Sequence, residues 1–283
     1  MGRVENYLLG MDCGTTNIKA IILSEDGTVV AEASKPSRFL VPGPNMQEQD
    51  ATQWWDNTVD IFRTLTEKAG KEVVKRIRGI SVSSHTVTML PVDANGNPLR
   101  NALTYQDNRS AAELHYIVDQ VGFDRFVSIV GGQPAVAFLP NKILWFKKNE
   151  PELFAKTACF LQASSFINYK LTGKMTMDID QASRTQCLDI NTMEWSDEIG
   201  DVIGVNLNSA SRWIRIPIIG MTFQPSDFMR VTLVALLAQQ LAKRQKVIDK
   251  IPILPALTPG GWRKNPRKNR DILFDTTIPL LGP

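Results

Sequence analysis

YLLGMDCGTTNIKAIILSEDGTVV, residues 7–30, is the stretch on which the fold turns. Tyr7 to Met11 is a short apolar run that ends in a polar corner, Asp12-Cys13-Gly14-Thr15-Thr16-Asn17. A second apolar run, Ile18 to Leu23, leads to Glu25-Asp26-Gly27 and then to Thr28–Ala33, which opens with β-branched residues. Asp-Gly between two apolar runs is a strong hairpin signal, because both residues tolerate the positive φ of a tight turn. The stretch predicts three consecutive antiparallel strands, with a Gly-containing polar turn between the first two.

Working outward, Asp50 precedes a helical stretch, Ala51–Ala69, in which Trp54, Ile61, Phe62 and Leu65 share one face. Asp50 is placed to cap it and Gly70 to end it. Ile77–Val82 reads as a fourth strand, and Met89–Val92 closes into a turn at Asn95-Gly96. Strand–strand–strand–helix–strand is compatible with a ribonuclease-H-like α/β domain, a mixed sheet with flanking helices. Ser110–Val121 and Asn141–Lys148 predict further helices, with Pro134 and Pro140 delimiting the loop between them. Phe160–Leu171 reads as another helix, stopped at Thr172-Gly173, and Phe228–Lys250 as an amphipathic one.

Composition divides the chain. After position 207 there are 12 Lys and Arg against 4 Asp and no Glu, out of totals of 32 basic and 29 acidic residues. That leaves 20 basic and 25 acidic residues in 1–207, an acidic body joined to a basic tail that also holds eight of the sixteen prolines. The expected boundary is therefore 1–207 as the globular domain and 208–283 as a basic, Pro-containing tail. The three cysteines form no Cys-x-x-Cys pair, so neither a disulfide framework nor a zinc site is indicated. No apolar run approaches the length of a signal peptide or a membrane span, and a reducing, cytoplasmic setting is expected. The cluster Arg263, Lys264, Arg267, Lys268 and Arg270 suffices for non-specific attraction to nucleic acid. Only Trp262 accompanies it, so a solvated charge run is the preferred reading.

The corner at 12–17 carries the chemistry. Gly14 permits a tight turn and close approach of an anion to the main chain, and successive N–H groups in such a turn make a concave anion site. Thr15, Thr16 and Asn17 add donors, Lys19 is a candidate cation, and Asp12 is placed to hold Mg²⁺ through water, since Mg²⁺ retains several waters. The competing reading is an ordinary hairpin turn in which Asp12 caps the N–H of Thr15 or Thr16.

The same stretch resembles the N-terminal phosphate-binding hairpin of the FGGY carbohydrate kinases, in the actin/Hsp70/sugar-kinase superfamily. Further resemblances follow in the family's order: Glu48-Gln49-Asp50 with Trp54-Trp55, Tyr105-Gln106-Asp107-Asn108-Arg109, LPNKILWFKKNEPELF (139–154), FINYKLTGK (166–174) and DQASRTQCLDINTMEWSDEI (180–199). They cover nearly all of 1–207. The resemblance implies phosphoryl transfer from ATP, with Mg²⁺, to a sugar or polyol hydroxyl, in a cleft between two domains of which the first holds the acceptor. By position it implies that Asp12 orders Mg²⁺ and that Thr15, Thr16 and Asn17 contact phosphates. It also implies that Asp107 accepts a bond from an acceptor hydroxyl; the competing reading is a salt bridge to Arg109 or a helix cap. Lys142 reads as a charge on a helix face, Trp145 and Trp195 as core, and Arg184 as facing the cleft or in a surface ion pair. A homo-oligomer is allowed for.

Two departures qualify the resemblance. Glycerol kinases carry Arg-Glu at the positions aligned with Thr86 and Val87, which argues against glycerol, and the Gln-Met-His-Gly of xylulose kinases is not matched. His85 and Thr86 are then the candidate acceptor contacts, with a neutral, hydrogen-bonded strand-end histidine as the competing reading for His85. The family's Gly-x-x-Asp, which supplies the general base, has no counterpart among Asp227, Asp249, Asp271 and Asp275. The expectation is a first half without its second, the tail arising from a frame-shifted or mis-spliced reading. Such a chain is a defective kinase or a non-catalytic sugar-binding remnant.

Overall fold

The computed structural model describes residues 6–207 and three short strands at 214–216, 221–223 and 277–279. Contacts divide the chain into two units, Met1–Ser211 with Ile278–Pro283 and Arg212–Thr277. Within the second, Ile214–Ile216 pairs antiparallel with Met221–Phe223. The predicted helix at 228–250 and the basic cluster at 263–270 lie outside the described residues.

The first unit opens with the hairpin of the sequence reading: β1 (Tyr7–Cys13), β2 (Asn17–Ser24) and β3 (Val29–Pro36). Gly27 has φ 89°, as its turn requires. After β4 (Glu48–Gln49), α1 (Ala51–Ala69) is capped by the Asp50 carboxylate, which accepts from Thr52 N at 2.8 Å. α2 (Lys71–Val74) leads to β5 (Ile77–Ser84), which runs parallel to β1. The central sheet has the order β3-β2-β1-β5. Tyr7, Leu9, Met11 and Cys13 alternate along β1 into the core, where Trp54, Ile61 and Leu65 of α1 are buried.

The rest of the unit is built around short strand pairs. β6 (Leu90–Val92) pairs with β8 (Cys159–Leu161), and β4 with β7 (Ala102–Leu103). Between them come α3 (Ala111–Val121), α4 (Phe123–Val130), α5 (Leu139–Asn149) and α6 (Pro151–Phe154). α7 (Ala163–Thr172), β9 (Thr176–Asp178), α8 (Ile179–Ser183), β10 (Leu188–Asp189), β11 (Glu194–Trp195) and α9 (Asp197–Ile203) complete it.

Two expectations are corrected. The run predicted as one helix from Phe160 is a strand followed by a helix: Cys159, Phe160 and Leu161 are all buried and pair with Val92, Pro91 and Leu90. α4 was not anticipated; Gly122 at φ 84° separates it from α3, and Phe126, Ile129 and Val130 bury its one apolar face.

Candidate active site

β1 and β5 are parallel, with Cys13 beside Ser84, so the corner after β1 and the loop after β5 emerge at the same end of the sheet. Ligands of open α/β sheets bind outside such carboxyl ends. At the corner, Gly14 N donates to Asn17 O at 3.0 Å, closing the turn. A Cβ on Gly14 would meet that oxygen at 2.7 Å, so no larger residue fits without moving the backbone. Among the described residues the N–H groups of Thr15 and Thr16 have no hydrogen-bond partner. Asp12 and Lys19 face each other across β1 and β2, both exposed, and form no ion pair among the described residues. A free carboxylate beside free amide donors fits a hydrated Mg²⁺ and the phosphates it accompanies. Asp12 does not cap Thr15 or Thr16, contrary to the ordinary-hairpin reading.

The corner is tied to its surroundings through carbonyls. His85 delivers both its backbone N–H, at 3.1 Å, and its ring Nδ1, at 2.9 Å, to Cys13 O. Gln49 Nε2 donates to Thr15 O at 2.8 Å. Two residues back, just before β4, Gln47 N donates to Asp107 Oδ2 at 2.7 Å. Strand β4 and its flank thus connect the corner to the 104–109 loop.

That loop corrects the role expected of Asp107. The residue is 0 % exposed, and its carboxylate is gripped by Arg109 Nε and Nη2 at 2.8–3.0 Å and by Gln47 N. It builds the loop and has no face left for a sugar hydroxyl, so the salt-bridge reading is the one the structure matches. Arg109 also reaches Glu48 at 2.8 Å, and Glu48 in turn holds Arg100 at 2.5 Å. Trp145 packs against both guanidinium groups, 5.6 Å from Arg100 and 5.0 Å from Arg109. The exposed residues of this loop are Tyr105, Gln106 and Asn108, which sequence reasoning did not single out as contacts.

Lys142 is corrected as well. It is fully buried and donates to Thr104 O at 2.6 Å and Ala137 O at 2.5 Å. Burial brings its pKa down to about 7, against the pull of the Asp107 charge. The His85 ring packs edge-on against Trp54 at 5.7 Å, and its Nε2 is buried without a partner among the described residues. Burial lowers its pKa, so the ring is neutral near pH 7, as the competing reading had it. Thr86 is the member of that loop left half-buried and without hydrogen bonds to the described residues. Arg184 forms an exposed ion pair with Asp180 at 3.1 Å, and Trp195 is buried.

A mixed sheet with a glycine-closed corner at the carboxyl ends of two parallel strands, and helices around it, defines an α/β domain. Residues 7–217 match the model of the FGGY family of carbohydrate kinases, N-terminal domain, and the chain belongs to that family. It is similar to the xylulose kinase of Bacillus subtilis, with 30 % identity over 71 % of this chain and 40 % of that protein. It is also similar to the L-fuculokinase of Escherichia coli, with 30 % identity over 76 % of this chain and 49 % of that protein. The crystal structure of xylulose kinase from Rhodospirillum rubrum superposes with a TM-score of 0.68 at 27 % identity, over 71 % of this chain and 41 % of that one. The chain thus spans less than half the length of these relatives. Residues 198–256 match a second model, FTSW_RODA_SPOVE, described as cell cycle protein. No helix of the described residues is long and apolar enough to cross a membrane.

Proposed function

We propose that residues 1–207 are the acceptor-binding half of an ATP-dependent carbohydrate kinase, and that this polypeptide alone binds a sugar or polyol without efficient phosphoryl transfer. One observation supports this best: the corner at 12–17 is hydrogen-bonded to the loop at 84–88 through His85 and, by way of Gln49 and Gln47, is linked to the loop at 104–109. Phosphoryl transfer demands in-line placement of acceptor and phosphate, which adjacent sites for each provide. Asp12 would hold Mg²⁺ through water, the N–H groups of Thr15 and Thr16 with the Asn17 side chain and Lys19 would face the phosphates, and Thr86, Tyr105 and Gln106 would face the acceptor. Bound Mg²⁺ would supply charge neutralisation between phosphate oxygens.

No Gly-x-x-Asp is found after residue 207, and a general base at that place would contribute roughly 10²–10⁴ in rate. Calorimetry with a panel of sugars and polyols, with and without Mg-ATP, paired with a coupled phosphotransfer assay, tests both halves of the reading. Binding without turnover is expected. Turnover like that of a complete family member overturns the defect, and absence of binding to any compound overturns the acceptor site.

The tail bears on the same reading. A slip of reading frame yields a sequence with no reason to match any family, whereas 198–256 matches one. That match favours a composite chain, a kinase half joined near residue 207 to a segment of a second family, over the frame-shift expectation.

A further inference from the structure

Val87 is buried, 7 % exposed, and has φ 63°. A left-handed conformation is costly for any residue with a Cβ and most so for a β-branched one. Asn45, Gln186 and Met193 share a positive φ among the described residues, and none of them is β-branched. A strained conformation of this kind, worth about 1–3 kcal/mol, persists only where neighbouring groups over-determine it. The groups that do so here can be named.

Gln162, fully buried just before α7, accepts from Val87 N through Oε1 at 2.8 Å. Its Nε2 donates to Gln181 O of α8 at 2.9 Å, so both ends of the amide are used and its orientation is fixed. The rest of the segment is anchored on either side. Ser84 Oγ accepts from Ser164 N at 3.1 Å, His85 is doubly bonded to Cys13 O, and Met89 N donates to Leu103 O at 2.9 Å. Within this clamped segment Thr86 is half-buried and free of hydrogen bonds to the described residues. Its hydroxyl is both donor and acceptor, which suits a neutral polyhydroxy ligand.

We infer that Gln162 is a positioning residue: it holds Val87 left-handed and thereby aims Thr86 at the acceptor. The inference rests on the sugar-binding reading above and adds the residue that shapes the pocket wall from behind. Gln162 touches no ligand; it acts through the backbone of Val87. A glycine at 87 would hold the same φ without strain and make the Gln162 bond dispensable.

The experiment uses the full chain and calorimetry with whichever sugar of the panel binds, with melting temperatures recorded alongside. Gln162→Leu, which removes both bonds, is expected to weaken sugar binding about tenfold, equivalent to about 1.4 kcal/mol. Val87→Gly alone holds the same φ without strain and should bind within about threefold of the parent, a fraction of the strain involved. Val87→Gly added to Gln162→Leu should restore affinity. A lowered melting point with unchanged affinity in folded Gln162→Leu, or failure of Val87→Gly to rescue, overturns the inference. Should Gln162→Leu not fold, Val87→Gly alone still decides: about a tenfold loss of affinity contradicts the inference, and affinity within about threefold supports it. If the unmodified chain binds no sugar, the functional reading itself falls, a result distinct from loss of the Gln162 dependence alone.

Discussion

Lys142 carries an ammonium into the interior between two backbone carbonyls, Thr104 O and Ala137 O, near Asp107 and Arg109. Burial brings its pKa from 10.5 to about 7, so between those values the unfolded chain keeps a proton that the folded domain has released. Stability contributed by this site therefore rises with pH from about 7 upward, by at most about 1.4 kcal/mol per pH unit, and is flat below that range. Urea melts from about pH 6 to about pH 9.5 should show the rise in the parent chain and a flatter profile in Lys142→Met; parallel profiles would contradict it. This residue was illegible in the sequence because Leu139 to Leu144 are buried on every side. Without an exposed face there is no period to read. The same holds for Asp107, whose motif was visible while its partner Gln47 lies sixty positions away. Gly14, by contrast, was legible because its constraint is local: the clash with Asn17 O arises within four residues.

At the scale of elements, the hairpin, the Asp50 cap, and the glycines ending α1 and α7 were readable for that local reason. β8 was not, since three apolar residues look alike as strand or helix until a distant partner such as β6 is known. β5 poses a different problem. It is the last strand of the central sheet among the described residues, and Ile80 is 47 % exposed on it, with Leu8 of the neighbouring strand 53 % exposed. An open apolar edge is a template for pairing with another chain. Concentration-dependent association is expected, and Ile80→Lys should reduce it in light scattering while leaving the melting temperature within a few degrees, as exposed substitutions do. Association unchanged by this substitution would place the contact elsewhere.

For the whole molecule, two family matches meet near the composition change at residue 207, an acidic body on one side and a basic segment on the other. Charge and proline content together made that boundary visible in the sequence. Sequencing the transcript and its locus across codon 208 should return one continuous reading frame on both sides. A locus in which the kinase frame continues into its own second half would remove the composite reading. Within the first unit, Cys13 and Cys187 are buried and their thiols are pushed up to about 12 by that burial. Thiolate is the form that attacks alkylating dyes, so neither sulfur labels while the domain stays shut. Cys13 lies directly behind the corner and Cys187 is remote from it in sequence, which makes the pair an internal stopwatch: a nucleotide seated at the corner would slow the first label more than the second.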